Sequence, residues 1–209
     1  MSIYFSLRGA VGAIIALFSL GALSLPIAVH AQAWSVQDIL DNPEVQNSGY
    51  GVDVAIEGNI ALIGDFRDTT DANGNNPIAE AGAAYVYEKT PTGWQLLQKL
   101  VPSDRQSNTG PRRFGTKVAL SGEHTLLISA PSGFVNPPGP PPAVSNAGAA
   151  YFFVRSSPTG PWVQAQKVSS PNPQAGGFFG YDIDLKFAGD IAVIGAPREP
   201  ASGTPKQTG

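Results

Sequence analysis

Phe114-Gly115-Thr116-Lys117-Val118-Ala119-Leu120-Ser121-Gly122-Glu123-His124-Thr125-Leu126-Leu127-Ile128-Ser129-Ala130-Pro131 decides the fold, because the chain carries three versions of it. Two apolar segments, Val118–Leu120 and Thr125–Ile128, flank the turn Ser121-Gly122-Glu123-His124, which reads as a β-hairpin. Upstream, Tyr50-Gly51 leads Val52–Ile56, the turn Glu57-Gly58-Asn59 and Ile60–Gly64. Downstream, Phe179-Gly180 leads Ile183–Phe187, Ala188-Gly189-Asp190 and Ile191–Ile194. The three aromatic-glycine pairs lie 64 and 65 residues apart. A second marker, Ala81-Gly82-Ala83-Ala84-Tyr85, returns 66 residues later as Ala147-Gly148-Ala149-Ala150-Tyr151. It opens a third strand, Ala83–Lys89 and Ala149–Arg155, small residues first and aromatics after, which suits a wedge that tapers toward a crowded axis. The turns Thr90-Pro91-Thr92-Gly93 and Ser157-Pro158-Thr159-Gly160 lead into Trp94 or Trp162 and a fourth strand ending near Leu100 or Val168. Four short strands in a period of this length predict an all-β chain of propeller blades, each a sheet of four antiparallel strands.

Trp34 marks a further fourth strand, since Trp34–Leu40 matches Trp94–Leu100 and Trp162–Val168 in spacing. The chain therefore divides into an address segment, 1–33, and a propeller segment, 34–209. The latter holds an orphan fourth strand and linker (34–49), a blade (50–113), a second blade (114–178) and a half blade (179–209), about 2.5 blades in all. Stacked repeats bury their faces only against neighbours, so we expect an incomplete propeller, either part of a longer protein or a chain that self-associates through the Trp34 strand.

The paired [YF]-G starts at Gly51, Gly115 and Gly180, the Gly195-Ala196-Pro197 end, its variant Ser129-Ala130-Pro131 and the G-A-A-Y strand together resemble FG-GAP repeats, the blades of the integrin α-subunit propeller and of many bacterial exported proteins. The resemblance covers residues 34–209. In the first copy Asp65-Phe66 stands where the others have Ala-Pro, as at Pro131 and Pro197, so a less regular blade edge is expected there. Integrin-type blades often carry a calcium loop between strands one and two. The matching turns here are too short to wrap six to eight oxygens around the ion, so the resemblance is to the variety without that loop, and no cofactor is implied. Asp71-Ala72-Asn73-Gly74-Asn75-Asn76 does look like a calcium loop, with Asp68 and Glu80 nearby, but it lies between strands two and three. We read it as a solvated Asn/Gly turn, with weak calcium binding as the alternative.

The chain has 209 residues, 42% hydrophobic, with 24 glycines, 19 prolines and a formal net charge of −3, a turn-rich globular composition without the basic stripe of a nucleic-acid binder. Arg8, the apolar run Gly9–Leu25, the break at Pro26 and Ala31-Gln32-Ala33 have the layout of an export signal cleaved after small residues at Ala31 and Ala33. An uncleaved anchor is the alternative. Export, with no membrane attachment after cleavage, predicts a secreted, periplasmic or cell-surface protein. There is no cysteine, so disulfides contribute nothing.

Catalytic constellations are lacking. His30 leaves with the signal, His124 sits on a hairpin tip, and no G-x-S-x-G elbow is present. Asp182 and Asp184 share a strand face and read as a hydrogen-bonded or solvated pair. The repeated aromatics Trp34, Trp94, Trp162, Tyr85, Tyr87, Tyr151, Phe152 and Phe153 read as packing groups rather than a sugar-stacking platform. The long connections, 66–81 and 132–147 between strands two and three and 102–113 and 169–178 between strands four and one, should emerge on one face, and function concentrates in such loops. Pro137-Pro138-Gly139-Pro140-Pro141-Pro142 should stiffen one of them. On this face Asp68, Asp71, Asn73, Asn75, Arg105, Arg112 and Arg113 are the candidate contacts for an extracellular protein or glycan. The expected function is a non-catalytic binding or adhesion scaffold. The alternatives are part of a propeller hydrolase or lyase, or a purely structural envelope component.

Overall fold

The computed structural model describes residues 3–6, 36–44, 49–106, 110–135, 143–186 and 189–199. Its strands are β1 (Ile3–Ser6), β2 (Val36–Leu40), β3 (Tyr50–Glu57), β4 (Ile60–Asp65), β5 (Ala83–Thr90), β6 (Gly93–Leu100), β7 (Val118–Ser121), β8 (Thr125–Ala130), β9 (Ala149–Val154), β10 (Val163–Val168), β11 (Ile183–Lys186) and β12 (Ile191–Ile194). Strands β3-β4-β5-β6 form one up-and-down antiparallel sheet and β7-β8-β9-β10 a second, while β11-β12 and β1-β2 are two-stranded. The chain is all-β and its sheets are propeller-like blades, not closed into a ring among the described residues. Among those residues no helix is long and apolar enough to cross a membrane.

Burial explains why the second strand of each of the two full blades reads as a continuous apolar run. Every residue of β4 is buried, because both faces of the sheet are covered there. Ile60 and Leu62 point into a core shared with Leu126, Ile128, Tyr151 and Phe153 of the second blade. Ala61 and Ile63 point the other way, to Leu40, Tyr50, Tyr85 and Tyr87. The next junction repeats the pattern, with Leu127 and Ala150 packed on Leu185. Full burial of each large aliphatic side chain contributes about 2 kcal/mol, so these shared clusters hold neighbouring blades together.

The two sequence markers meet at each junction. Phe114 donates its amide to Ala81 O at 3.1 Å, and Phe179 to Ala147 O at 2.8 Å. Gly82 pairs with Phe114 in a parallel bridge. Glycine is required here twice over. Gly115 has φ +83°, and a Cβ placed on it would lie 2.1 Å from Ala83 O; a Cβ on Gly64 would lie 2.0 Å from Gly115 O. The recurring aromatic-glycine pair is thus the seat of one blade on the A-G-A segment of the blade before it. Where Ser129 replaces the glycine of Gly64, the corresponding approach of Gly180 to Ala149 O relaxes to 2.9 Å.

Inner strands are stitched across blades as well. Val118 N donates to Asp53 Oδ2 at 2.9 Å, and Lys117 lies 3.9 Å from Asp53 and 3.8 Å from Asp182. The hairpin tips exchange bonds, Gly122 N to Glu57 Oε2 at 2.8 Å and Asn59 N to Glu123 Oε1 at 3.0 Å.

The fourth strand marked by Trp34, read as an orphan within the segment 34–209, pairs antiparallel through Val36–Leu40 with Ile3–Ser6 of the segment 1–33. Backbone donors and acceptors along β2 that an orphan strand would leave to water are taken up by this partner. Trp34 itself, Ala31, Ala33, His30 and residues 137–142 lie outside the described residues. Asp65, the departure from the Ala-Pro pattern, remains in the ladder, paired with Tyr50 and Ala83, while the register of β3 against β4 shifts between Tyr50 and Val54.

Candidate functional site

Loops 66–81 and 102–113 emerge side by side, and three arginines of the second bind the first. Arg105 Nη1 donates to Asn76 O at 2.8 Å and its Nη2 to Thr69 O. Arg113 donates its amide to Glu80 O at 2.8 Å and its Nε to Glu80 Oε2 at 3.4 Å, and Arg112 Nη1 reaches Ala79 O at 3.5 Å. Burial pushes the Arg105 guanidinium pKa down, although Asp71 and Asp68 oppose the shift. Arg113 and Glu80 both adopt left-handed backbone, at φ +58° and +52°, and the equivalent residues of the next junction, Phe178 and Asn146, do the same at +54° and +50°. The bend that carries these loops away from the blade is therefore a property of the repeat. Val135 and Val144 close the base of the next long loop with two mutual backbone bonds of 3.1 and 2.8 Å.

Of the seven candidate contacts, Asn73, Asn75 and Arg113 are exposed and Asp71, Arg105 and Arg112 half-buried. Asp71 caps its own turn: one carboxylate oxygen accepts the amides of Asn73 and Asn75, each at 2.9 Å, and the other accepts Asn76 Nδ2 at 2.6 Å. These bonds, the Asn75 amide first, hold its pKa below the usual carboxylate value. Among the described residues no group of three or more His, Cys, Asp or Glu side chains could hold a metal ion.

Asp68, in contrast, is buried, and so serves the scaffold rather than an open surface. It accepts the Tyr85 hydroxyl, the Thr70 amide at 2.8 Å and Lys99 Nζ at 2.9 Å, and Lys99 also reaches Glu44 Oε1 at 2.5 Å. Burial, and then Asp68, push the Tyr85 phenol far up, which keeps it a donor. The second blade repeats this lock in a looser form. Lys167 Nζ binds Asp104 Oδ2 at 2.6 Å, Tyr151 OH lies 3.4 Å from the same oxygen, and each lysine stands over its tyrosine ring, at 5.6 Å for Lys99 and 5.5 Å for Lys167. Glu44 and Asp104 both come from the loop of the preceding unit, so the lock ties neighbouring units together. None of Tyr85, Lys99, Glu44, Tyr151, Lys167 and Asp104 was read from the sequence as part of such a lock. The signal was there: the lysines stand five residues after Trp94 and Trp162, and the acids ten after Trp34 and Trp94.

Asp65 is a second buried carboxylate. Its Oδ1 accepts Gly49 N at 2.7 Å and Arg67 N at 3.1 Å, fastening the start of the first blade. Burial raises its pKa, against the lowering effect of these amides. A folded pKa above the unfolded one stabilises the fold fully below the unfolded value, and this contribution disappears as pH rises through the folded value. Asparagine keeps the accepting oxygen and carries no charge. Asp65→Asn should therefore gain stability relative to wild type as pH rises above the ordinary carboxylate range, measured by urea unfolding of both proteins at each pH.

Other candidates are dispersed. His124 is exposed at its tip. Asp182 is exposed beside Lys117, and Asp184 lies 3.6 Å from Lys186. Tyr85, Tyr87, Tyr151, Phe153 and Trp162 are buried, with Arg155 4.1 Å above the Trp162 ring and Lys89 5.4 Å above that of Trp94. No protein-family model matches the chain, and no curated protein is similar enough to count as a relative.

Proposed function

We propose that this chain is an exported, non-catalytic repeat scaffold of the FG-GAP kind, which engages an extracellular protein or glycan through its long-loop face. The observation that carries the reading is the pinning of loop 66–81 by Arg105, Arg112 and Arg113. A pinned loop presents its polar groups without a large ordering cost on binding. The surface so presented, with Asn73, Asn75 and the exposed edge of Arg113, offers amide and guanidinium groups suited to hydroxyl-rich or acidic ligands. The signal layout of residues 1–33 and the repeat markers support export and the repeat type.

The test uses the full chain, immobilised and screened by interferometry against acidic and neutral polysaccharides and cell-surface protein extracts. For a ligand so found, Asn73→Ala/Asn75→Ala/Arg113→Glu should weaken binding tenfold or more with little change in Tm, while His124→Glu on the opposite rim should leave it intact. Binding that survives the loop variant and is lost in His124→Glu would place the ligand on the short-turn face and refute the reading.

A further inference from the structure

Two arginines converge on one aromatic ring where the first blade opens into its long loop. The ring of Phe66 is seated against Gly49, where an added Cβ would fall 2.2 Å from it. The Arg67 guanidinium stands 5.1 Å from the ring centroid, and that of Arg113, from the next unit, 5.7 Å. Both residues are exposed. Among the described residues the Arg67 side chain has no hydrogen-bond acceptor, and Arg113 uses only its Nε, on Glu80 at 3.4 Å. Asp65 does not serve them, since it is buried and accepts the amides of Gly49 and Arg67. Two cations on one ring repel each other, and the ring face offsets only part of that cost. An anion taken by both forks would complete the set.

The third unit carries a related pair. Arg67 and Arg198 each stand three residues after the matching glycines, Gly64 and Gly195, and Ser132 holds the same place in the second unit. Arg198 is exposed, lies 5.2 Å from the centroid of the Phe178 ring and has no hydrogen-bond acceptor among the described residues. With Phe178, Tyr181 and Pro197 it lines a hollow of about 260 Å³, and Tyr181 is 59% exposed. The neighbouring Glu199 is engaged elsewhere, accepting the Ser170 hydroxyl at 2.8 Å. Both arginines follow the second strand of their unit, so both belong to the long-loop face, with one blade between them.

We propose, building on the reading of the long-loop face as the binding surface, that Arg67 with Arg113 and Arg198 with Tyr181 are two subsites for one linear acidic polysaccharide. Its sulfate or carboxylate groups are taken by the guanidinium forks. Two related subsites on one face favour a polymer over a single small anion, because the second contact forms within the complex made by the first. The exposed Tyr181 ring beside Arg198 offers an apolar face to the C–H side of a sugar ring. A formal net charge of −3 gives no general attraction for a densely charged nucleic acid, so a sparsely charged polymer whose anions meet fixed forks fits better.

The test measures binding of the full chain, by interferometry, to immobilised dextran sulfate, polygalacturonate, unmodified dextran and single-stranded DNA. The chain should bind dextran sulfate or polygalacturonate about tenfold tighter than dextran or DNA, and the two acidic arms tell sulfate from carboxylate. Arg67→Gln/Arg198→Gln should weaken that binding about tenfold, more than either single variant, with Tm unchanged because both side chains are exposed. Arg67→Lys/Arg198→Lys keeps the charge, loses the planar fork and should also bind more weakly than wild type. No preference for the acidic polysaccharides, full binding by the glutamine variant or equal binding by the lysine variant would each overturn the subsites. If the glutamine variant binds fully while Asn73→Ala/Asn75→Ala/Arg113→Glu does not, the subsites fall and the long-loop face stands. Binding lost in His124→Glu instead would refute both.

Discussion

Gly115→Ala is expected to destabilise the protein by about 4 kcal/mol, a loss in the exceptional range for one added methyl group. Two effects combine. The residue sits at φ +83°, where a side chain costs about 1–2 kcal/mol. The new Cβ would also fall 2.1 Å from Ala83 O, a backbone atom of the neighbouring blade that no rotamer change can move. Relief requires the blades to part, which loosens the bond of Phe114 N to Ala81 O. It also opens the core beneath Phe114, whose ring meets Tyr151 edge-on at 5.5 Å. Gly74→Ala is the control, because Gly74 has φ +77° with nothing within 4 Å of the added carbon, and should cost only about 1 kcal/mol. Urea unfolding of both variants gives the comparison, and equal losses would mean that the blades do not meet as described.

Lys99→Met should cost about 3 kcal/mol, because it strips the cation from a carboxylate that stays buried. Asp68 would retain the Tyr85 hydroxyl and the Thr70 amide, which holds the loss at the low end for a broken buried pair. Lys167→Met removes the corresponding lysine of the second blade, whose pair with Asp104 matches Lys99–Glu44 and leaves both side chains about one-third exposed, and should cost about 1 kcal/mol or less. Adding Asp68→Asn to Lys99→Met should recover part of the loss, so the double variant falls short of the sum of the singles, and a cycle of urea unfolding curves measures that coupling. Strict additivity would show that Lys99 and Asp68 act independently.

What could be read from the sequence was what lies along one strand or one turn. The alternation of Val52 to Ile56, the apolar run Ile60 to Gly64 and the paired Thr-Gly turns before Trp94 and Trp162 gave strand positions to within a residue or two; burial on both faces is what marks the run Ile60 to Gly64, whereas Val52, Val54 and Ile56 are the exposed side chains of their strand. The contacts between units were not legible. Nothing local to Phe114-Gly115 says that it sits on Ala81-Gly82-Ala83, although repetition of both markers at the same period was the trace of that contact. For the same reason Asp68 was taken for a surface group: a lone aspartate in a polar loop gives no sign that Tyr85 and Lys99, on other strands, enclose it. Ile3–Ser6 was hidden by a stronger signal, since an apolar N-terminal run reads first as an address, and its Ile-Tyr-Phe pattern gains meaning only beside the ladder of Val36–Leu40.

The seat of each blade on the one before it is tested most directly by amide hydrogen exchange, resolved by NMR, at Phe114, Gly115, Phe179 and Gly180. The Phe114 and Phe179 amides bond across blades and those of Gly115 and Gly180 bond within the blade they open. All four should exchange as slowly as the central amides of β5 and β9. Exchange of Phe114 and Phe179 at the rate of an unprotected amide, with β5 and β9 still protected, would mean that the blades fold singly and do not stack through the repeated motif.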